Sequence, residues 1–183
     1  MPARRVIDPD VMLRGAAMHY FRHSTIDMDL LATEMAISRA TLYRMAGSRD
    51  ALLGEVFWAL GRIFLAEASA GAIGTGADRV LHVSRLFAEM VTGAQQLRNF
   101  VAEEPQTAAR VLLTTGSDVH HRAVGAQLEI FGQSGIGGDP ADLRQRAFLY
   151  VRLMESVVYS PVLGVPEMDF DLAEPALRAL LPR

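Results

Sequence analysis

Apolar residues recur at helical spacing along nearly the whole chain, and alternating β-branched runs are missing. Asp8-Pro9 opens a first helix, because Asp accepts from free helix N–H groups and Pro suits the first helical position. Leu13, Ala16, Ala17, Tyr20 and Phe21 share its inward face. Asp27 caps a second helix anchored by Leu30, Leu31 and Met35. Ser38 caps a third, whose inward anchor is Leu42. Ser48, with Asp50 behind it, opens a fourth that runs to about Ala70 along a wide apolar stripe. Further helices are expected from Asp78 to about Thr92, Gln95 to Glu103, Pro105 to Thr114, a Ser117 cap to about Gln133, Asp139-Pro140 to about Tyr159, and Leu172 to Leu181. The pattern predicts an all-α chain of about nine or ten helices. Residues 1–53 form a three-helix head of helix-turn-helix type, and residues 54–183 a larger helical domain.

Charge changes the picture in one respect. The chain carries a net charge of −3, which taken alone argues against nucleic acid. Its first fifty residues nevertheless hold seven Arg against six acids, and the remainder eleven Arg against fifteen. The head thus escapes the general acidity and keeps a weak basic footprint. Cysteine is absent, so disulfides and thiolate metal sites are excluded. No apolar run reaches the ~18 residues of a membrane span, and no signal-peptide core follows Arg4 and Arg5. A cytoplasmic, DNA-associated location in a bacterial cell is the expectation.

The chemistry sits in Ser38-Arg39-Ala40-Thr41-Leu42-Tyr43-Arg44. With Leu42 turned inward, Arg39, Thr41, Tyr43 and Arg44 lie off the buried face. Arg39 or Arg44 can pair bidentately with guanine, a contact that discriminates by ~1–3 kcal/mol. The Thr41 and Tyr43 hydroxyls suit phosphate or a base edge. Free N–H groups near Ser48 and Arg49 can hold a phosphate, and Arg4 and Arg5 can add an arm along the backbone.

This segment, followed by Gly47-Ser48-Arg49-Asp50-Ala51-Leu52-Leu53, resembles the signature of the tetracycline-repressor (TetR) family. Two positions depart from it: Ala36 stands where the turn glycine is usual, and Ala46 where an aromatic is expected. Gly54-Glu55-Val56-Phe57-Trp58 and Tyr150 to Ser160 are more like the QsdR-type subgroup. The resemblance implies a DNA-binding transcriptional regulator, a homodimer on a pseudo-palindromic operator, and a repressor released by a small, largely apolar effector. It also implies a ligand cavity in the larger domain. Candidate lining residues are Phe57, Trp58, Phe64, Phe87, Met90, Phe100, Phe131 and Phe148, with Arg152, Glu155, Tyr159 and His121 as polar groups. Asn99, Glu103 and His120 are weaker candidates, and Arg152 with Glu155 can equally be a structural ion pair. The subgroup's association with lactone breakdown implies a lactone or acyl effector.

The resemblance implies dimerisation through the helix opened by Asp139 and the last helix, with intramolecular core the alternative reading of the same apolar positions. Leu143, Ala147, Val151, Met154 and Val158 repeat nearly in heptads, and Leu172, Ala173, Ala176, Leu177 and Leu180 are apolar on the other. Other readings are weaker. Ser117, Asp118, His120 and His121 lie too close in sequence for a hydrolase triad. His19 and His23 share a helix face but read as a surface pair with no third metal ligand. No metal, cofactor or catalytic residue is expected. A helical interaction module that has lost DNA binding is the alternative, kept open by Ala36 and the low positive charge.

Overall fold

The structure, a computed structural model, describes residues 8–114 and 117–182. Those residues form ten α-helices and no strand: α1 (Pro9–His23), α2 (Met28–Glu34), α3 (Arg39–Ala46), α4 (Arg49–Gly71), α5 (Gly76–Gly93), α6 (Gln95–Glu103), α7 (Pro105–Leu113), α8 (Val119–Gln133), α9 (Pro140–Val158) and α10 (Phe170–Ala179). A 3₁₀ turn, Ser160–Leu163, follows α9. Arg4 and Arg5 lie outside the described residues.

The expected caps form. Side-chain oxygens of Asp8, Asp27, Ser38, Ser48 and Asp139 accept N–H groups of the helices they precede. Three starts differ from expectation. The α5 helix begins two residues early, at Gly76. Asp169 caps α10 through the N–H of Asp171, so that helix begins at Phe170. Ser117 does not cap its helix conventionally. Its hydroxyl donates to the Val111 carbonyl at 2.5 Å and receives only a long 3.4 Å bond from Val119 N–H. It ties the end of α7 to the start of α8.

Two apolar cores are strung along α4. The first joins α1, α2, α3 and the opening half of α4 around Ala16, Tyr20, Leu31, Leu42, Leu53 and Val56. It does not stop at residue 53, because Phe100, Ala108, Val111 and Leu112 from α6 and α7 complete it. Leu42 is fully buried, worth about 1.5–3 kcal/mol, and this burial fixes which face of α3 turns outward. The second core takes the far end of α4 with α5, α8, α9 and α10.

The near-heptad face of α9 belongs to this second core rather than to a partner. Ala147, Val151, Met154 and Val158 are buried within the subunit, and Leu143 packs against the same core. On α10, Ala173 and Leu177 are likewise buried and Leu180 packs on them, which leaves Leu172 and Ala176 outside. The expected dimer seam is therefore corrected at those positions. An apolar stripe cannot reveal whether its mate is the same chain or a copy.

Candidate nucleic-acid interface and apolar cavity

The turn before α3 closes α2 with Ile37 N–H on the Ala32 carbonyl and Ala36 N–H on Thr33, both at 3.0 Å. Ala36 takes φ +53°, the left-handed region that glycine enters without penalty. The motif's turn thus forms without its usual glycine, at some strain.

Ser38 Oγ accepts Thr41 N–H at 3.1 Å and lies 2.9 Å from the Thr41 hydroxyl, so these two side chains finish the cap together. Arg39 donates to Asp29 of α2 at 3.1 Å and lies over the Tyr43 ring. Tyr43 is half-buried against the first core. Arg44 is exposed, with no ion-pair partner among the described residues, which makes it the freest cation on the face. Ser48 is exposed, and its hydroxyl accepts Ala51 N–H at 3.0 Å.

Arg49 leaves the group. Its guanidinium turns inward, donating to the Ile26 carbonyl at 2.6 Å, to Thr25 at 2.6 Å, and to both carboxylate oxygens of Glu104 at 2.5 and 2.8 Å. The side chain thus bridges the α1–α2 loop to the α6–α7 junction, which leaves the expected phosphate contact to the backbone N–H groups at this helix start. Hydrogen bonds from Arg49 hold the Glu104 carboxyl below its ordinary pKa, against a smaller opposing effect of burial.

His19 and His23 also differ from expectation. His19 is fully buried, and its Nδ1 lies 2.9 Å from Glu34 Oε2; His23 Nε2 lies 3.5 Å from Glu34 Oε1. Glu34 thus supplies the third group that the sequence does not reveal, within metal-ligand reach. However, His19 Nε2 accepts Asp27 N–H at 3.3 Å, which puts the ring proton on Nδ1, toward Glu34. Arg22 donates to the same carboxylate at 2.9 Å. These bonds make the cluster a brace between α1 and α2.

In the larger part, Phe57, Phe64, Phe87, Met90 and Tyr159 line an apolar cavity of about 470 Å³. Its wall also includes Tyr20 and Phe21 from α1, so the head itself closes one side. A smaller chamber of about 90 Å³ shares Phe57, Gly61, Phe87 and Tyr159 with it, and adds Trp58, Ser84, Gln127 and Glu155. Burial raises the pKa values of both Tyr20 and Tyr159, so both phenols are neutral.

The other cavity candidates lie elsewhere. Phe100 is buried against Tyr20 and Phe57 in the first core, and Phe131 stacks edge-on with Tyr150 in the second. Phe148 is 44% exposed on α9, beside His121 in a separate groove of about 330 Å³. Arg152 donates to Glu155 at 2.8 Å and to the Leu113 carbonyl at 3.1 Å, and His120 Nδ1 meets the other Glu155 oxygen at 2.7 Å. Arg152 is thus a structural partner of Glu155. With Ser117 bonded to Val111 and His120 to Glu155, no Ser–His couple forms. Asn99 bonds Gln95 and Ser24, and Glu103 is exposed. Gln127 escaped sequence reasoning. Its signal was a lone polar residue in the α8 stripe Val119, Ala123, Gln127 and Ile130.

A capped helix-turn-helix locked to a helical body with an apolar cavity defines a class: regulators that couple a DNA reader to a small-molecule sensor. The sequence model of the tetracyclin repressor-like C-terminal domain matches residues 75–182, and the chain belongs to the TetR family. The fold is similar to the structure of the R. erythropolis transcriptional repressor QsdR from the TetR family, with TM-score 0.87 and 26% identity over 94% of this chain and 93% of that one. Mycobacterium smegmatis AmtR is far more distant, with TM-score 0.39 and 19% identity over 98% of this chain and 89% of that one. No curated protein matches. Family members are dimeric regulators that bind operator DNA and small-molecule effectors; they are not enzymes. No helix among the described residues is long and apolar enough to cross a membrane.

Proposed function

We propose that the chain is a homodimeric repressor that reads a pseudo-palindromic operator with α3 and leaves it when a small, largely apolar effector fills the cavity. Residues 1–53 act as the reader and residues 54–183 as the sensing and dimerising part. The observation that carries this reading is the Ser38-capped α3, with Leu42 buried behind it and Arg44 outward and unpaired. Arg39, Thr41 and Tyr43 flank it, with Ser48 at the start of α4 positioned for phosphate. A lactone or acyl compound is the first effector to try, by likeness to the QsdR-type subgroup.

One head offers few base contacts, so specific affinity calls for two heads about one helical turn apart. The outward face of α9, with Phe148 and Leu149 exposed, is proposed as the seam, packed beside α8. Release follows from the linkages. The cavity touches α1, α4, α5 and α6, and the far end of α6 leads to Glu104, which holds Arg49 and Thr25 of the head. An effector that prefers a wider cavity shifts the population toward a head spacing that misses successive major grooves.

The test is a gel shift with duplex from upstream of the chain's own gene. Retardation abolished by Arg44→Ala or Tyr43→Ala supports the reader. Retardation that survives both changes overturns the contact assignment, and none at any salt favours an interaction module instead.

A further inference from the structure

The small chamber holds polar groups with nothing to bond. Gln127 is 7% exposed, its amide nitrogen is sealed from solvent, and its carboxamide has no hydrogen bond among the described residues. A buried amide without an acceptor is destabilising, so its presence on a cavity wall points to an acceptor brought from outside the chain. Two other chamber groups, Ser84 and Glu155, are committed. Ser84 Oγ donates to the Val80 carbonyl at 2.9 Å and lies 2.8 Å from the Tyr150 hydroxyl. Both Glu155 oxygens are taken by His120 and Arg152. Tyr159, shared with the larger cavity, makes no side-chain hydrogen bond, and the Tyr20 hydroxyl is buried without a partner. No Arg, Lys or His lines either space, and Glu155 is the one charged residue on their walls.

We infer that the cavity takes a neutral amphiphile, whose carbonyl-type acceptor is bonded by Gln127 in the small chamber and whose apolar tail lies along Phe57, Phe64, Phe87 and Met90. The inference rests on the effector cavity proposed above and names the chemistry that cavity selects. Esters, amides and lactones fit. A carboxylate does not, because no free cation meets it on either wall. A cationic head is no better served, since the Glu155 oxygens are already occupied. Gln127 is then the specificity residue: it accepts instability in the empty protein in exchange for a bond in the filled one.

Trp58 is the chain's single tryptophan and stands on the chamber wall, so its fluorescence reports occupancy directly. Full-length protein is titrated with methyl decanoate, decanamide and decanoate. The ester and amide are expected to bind at least about tenfold more tightly than the acid, because a carboxylate loses its hydration on burial and meets no free cation there. Gln127→Leu is expected to weaken the ester and amide about tenfold while raising the melting temperature of the empty protein. A Cβ at Gly61 meets nothing within 4 Å, so Gly61→Phe is expected to fill the space and abolish all three titrations. Decanoate binding as tightly as its ester, an unchanged ester affinity in Gln127→Leu, or silence with every probe overturns the inference. If the preference holds but the ester leaves the protein on its operator, the cavity chemistry stands and the effector-released repressor falls.

Discussion

Arg49, the first residue of α4, chelates Glu104 at the α6–α7 junction through two hydrogen bonds of 2.5 and 2.8 Å. The two residues are 55 apart in sequence, and their pair is a charged joint between the head and the sensing body. Thr25 donates to Glu104 at 2.5 Å, which brings the α1–α2 loop into the same joint.

Glu104→Gln is expected to lower stability by about 1–2 kcal/mol at neutral pH, a partly exposed pair being worth less than a fully buried one. The pH dependence has a definite sign. The folded-state pKa of Glu104 lies below its ordinary 4.5, so its contribution is complete above that value and disappears as pH falls through the lowered one. The gap in urea midpoint between wild type and Glu104→Gln should be constant from neutral pH down to the ordinary carboxylate range and should close in stronger acid. A gap that widens on acidification contradicts this.

Arg44→Ala is expected to cost about 1–3 kcal/mol of operator affinity, roughly 5- to 150-fold, with no change in melting temperature. Arg49→Ala should do the reverse and destabilise the fold. Anisotropy titrations paired with thermal melts separate the two arginines.

Ala36→Gly should stabilise the protein. Relief of a left-handed alanine gains about 1–2 kcal/mol, and the greater freedom of glycine in the unfolded chain returns about half of that. A net gain of about 0.5–1 kcal/mol should appear as a higher denaturant midpoint. An unchanged or lower midpoint would mean that the turn is not strained.

Gly54 marks a close crossing. A Cβ there would stand 2.7 Å from the Ser117 Cβ. Gly54→Ala should cost about 1–3 kcal/mol by forcing α4 away from the start of α8, measurable by chemical denaturation. Gly61→Ala, on the same helix with open space above it, should cost far less.

Leu149→Asp, on the outward face of α9, should turn a dimer into a monomer while leaving the fold intact. Sedimentation velocity beside far-ultraviolet circular dichroism reads both. A dimer that survives the change places the seam elsewhere.

What was legible in the sequence was local. The caps at Asp8, Asp27, Ser38, Ser48 and Asp139 are decided within three residues of each helix start, and so is the outward face of α3 once Leu42 is buried. What was hidden was long-range. Nothing near Arg49 announces Glu104, so the inward turn of its guanidinium is not legible from the sequence. Glu34, fifteen residues from His19, was invisible for the same reason. The α9 stripe read as a partner seam because heptad-like spacing is common to intramolecular and intermolecular packing. Phe148 and Phe131 read as cavity residues because aromaticity does not report which way a side chain faces.

A labelled duplex from upstream of the chain's own gene, titrated by fluorescence anisotropy and sized by sedimentation velocity, tests the reading most directly. Two chains per duplex, a Kd near or below about 10 nM, and dissociation on adding methyl decanoate are expected. A single chain per duplex, or no binding even at low ionic strength, would contradict it.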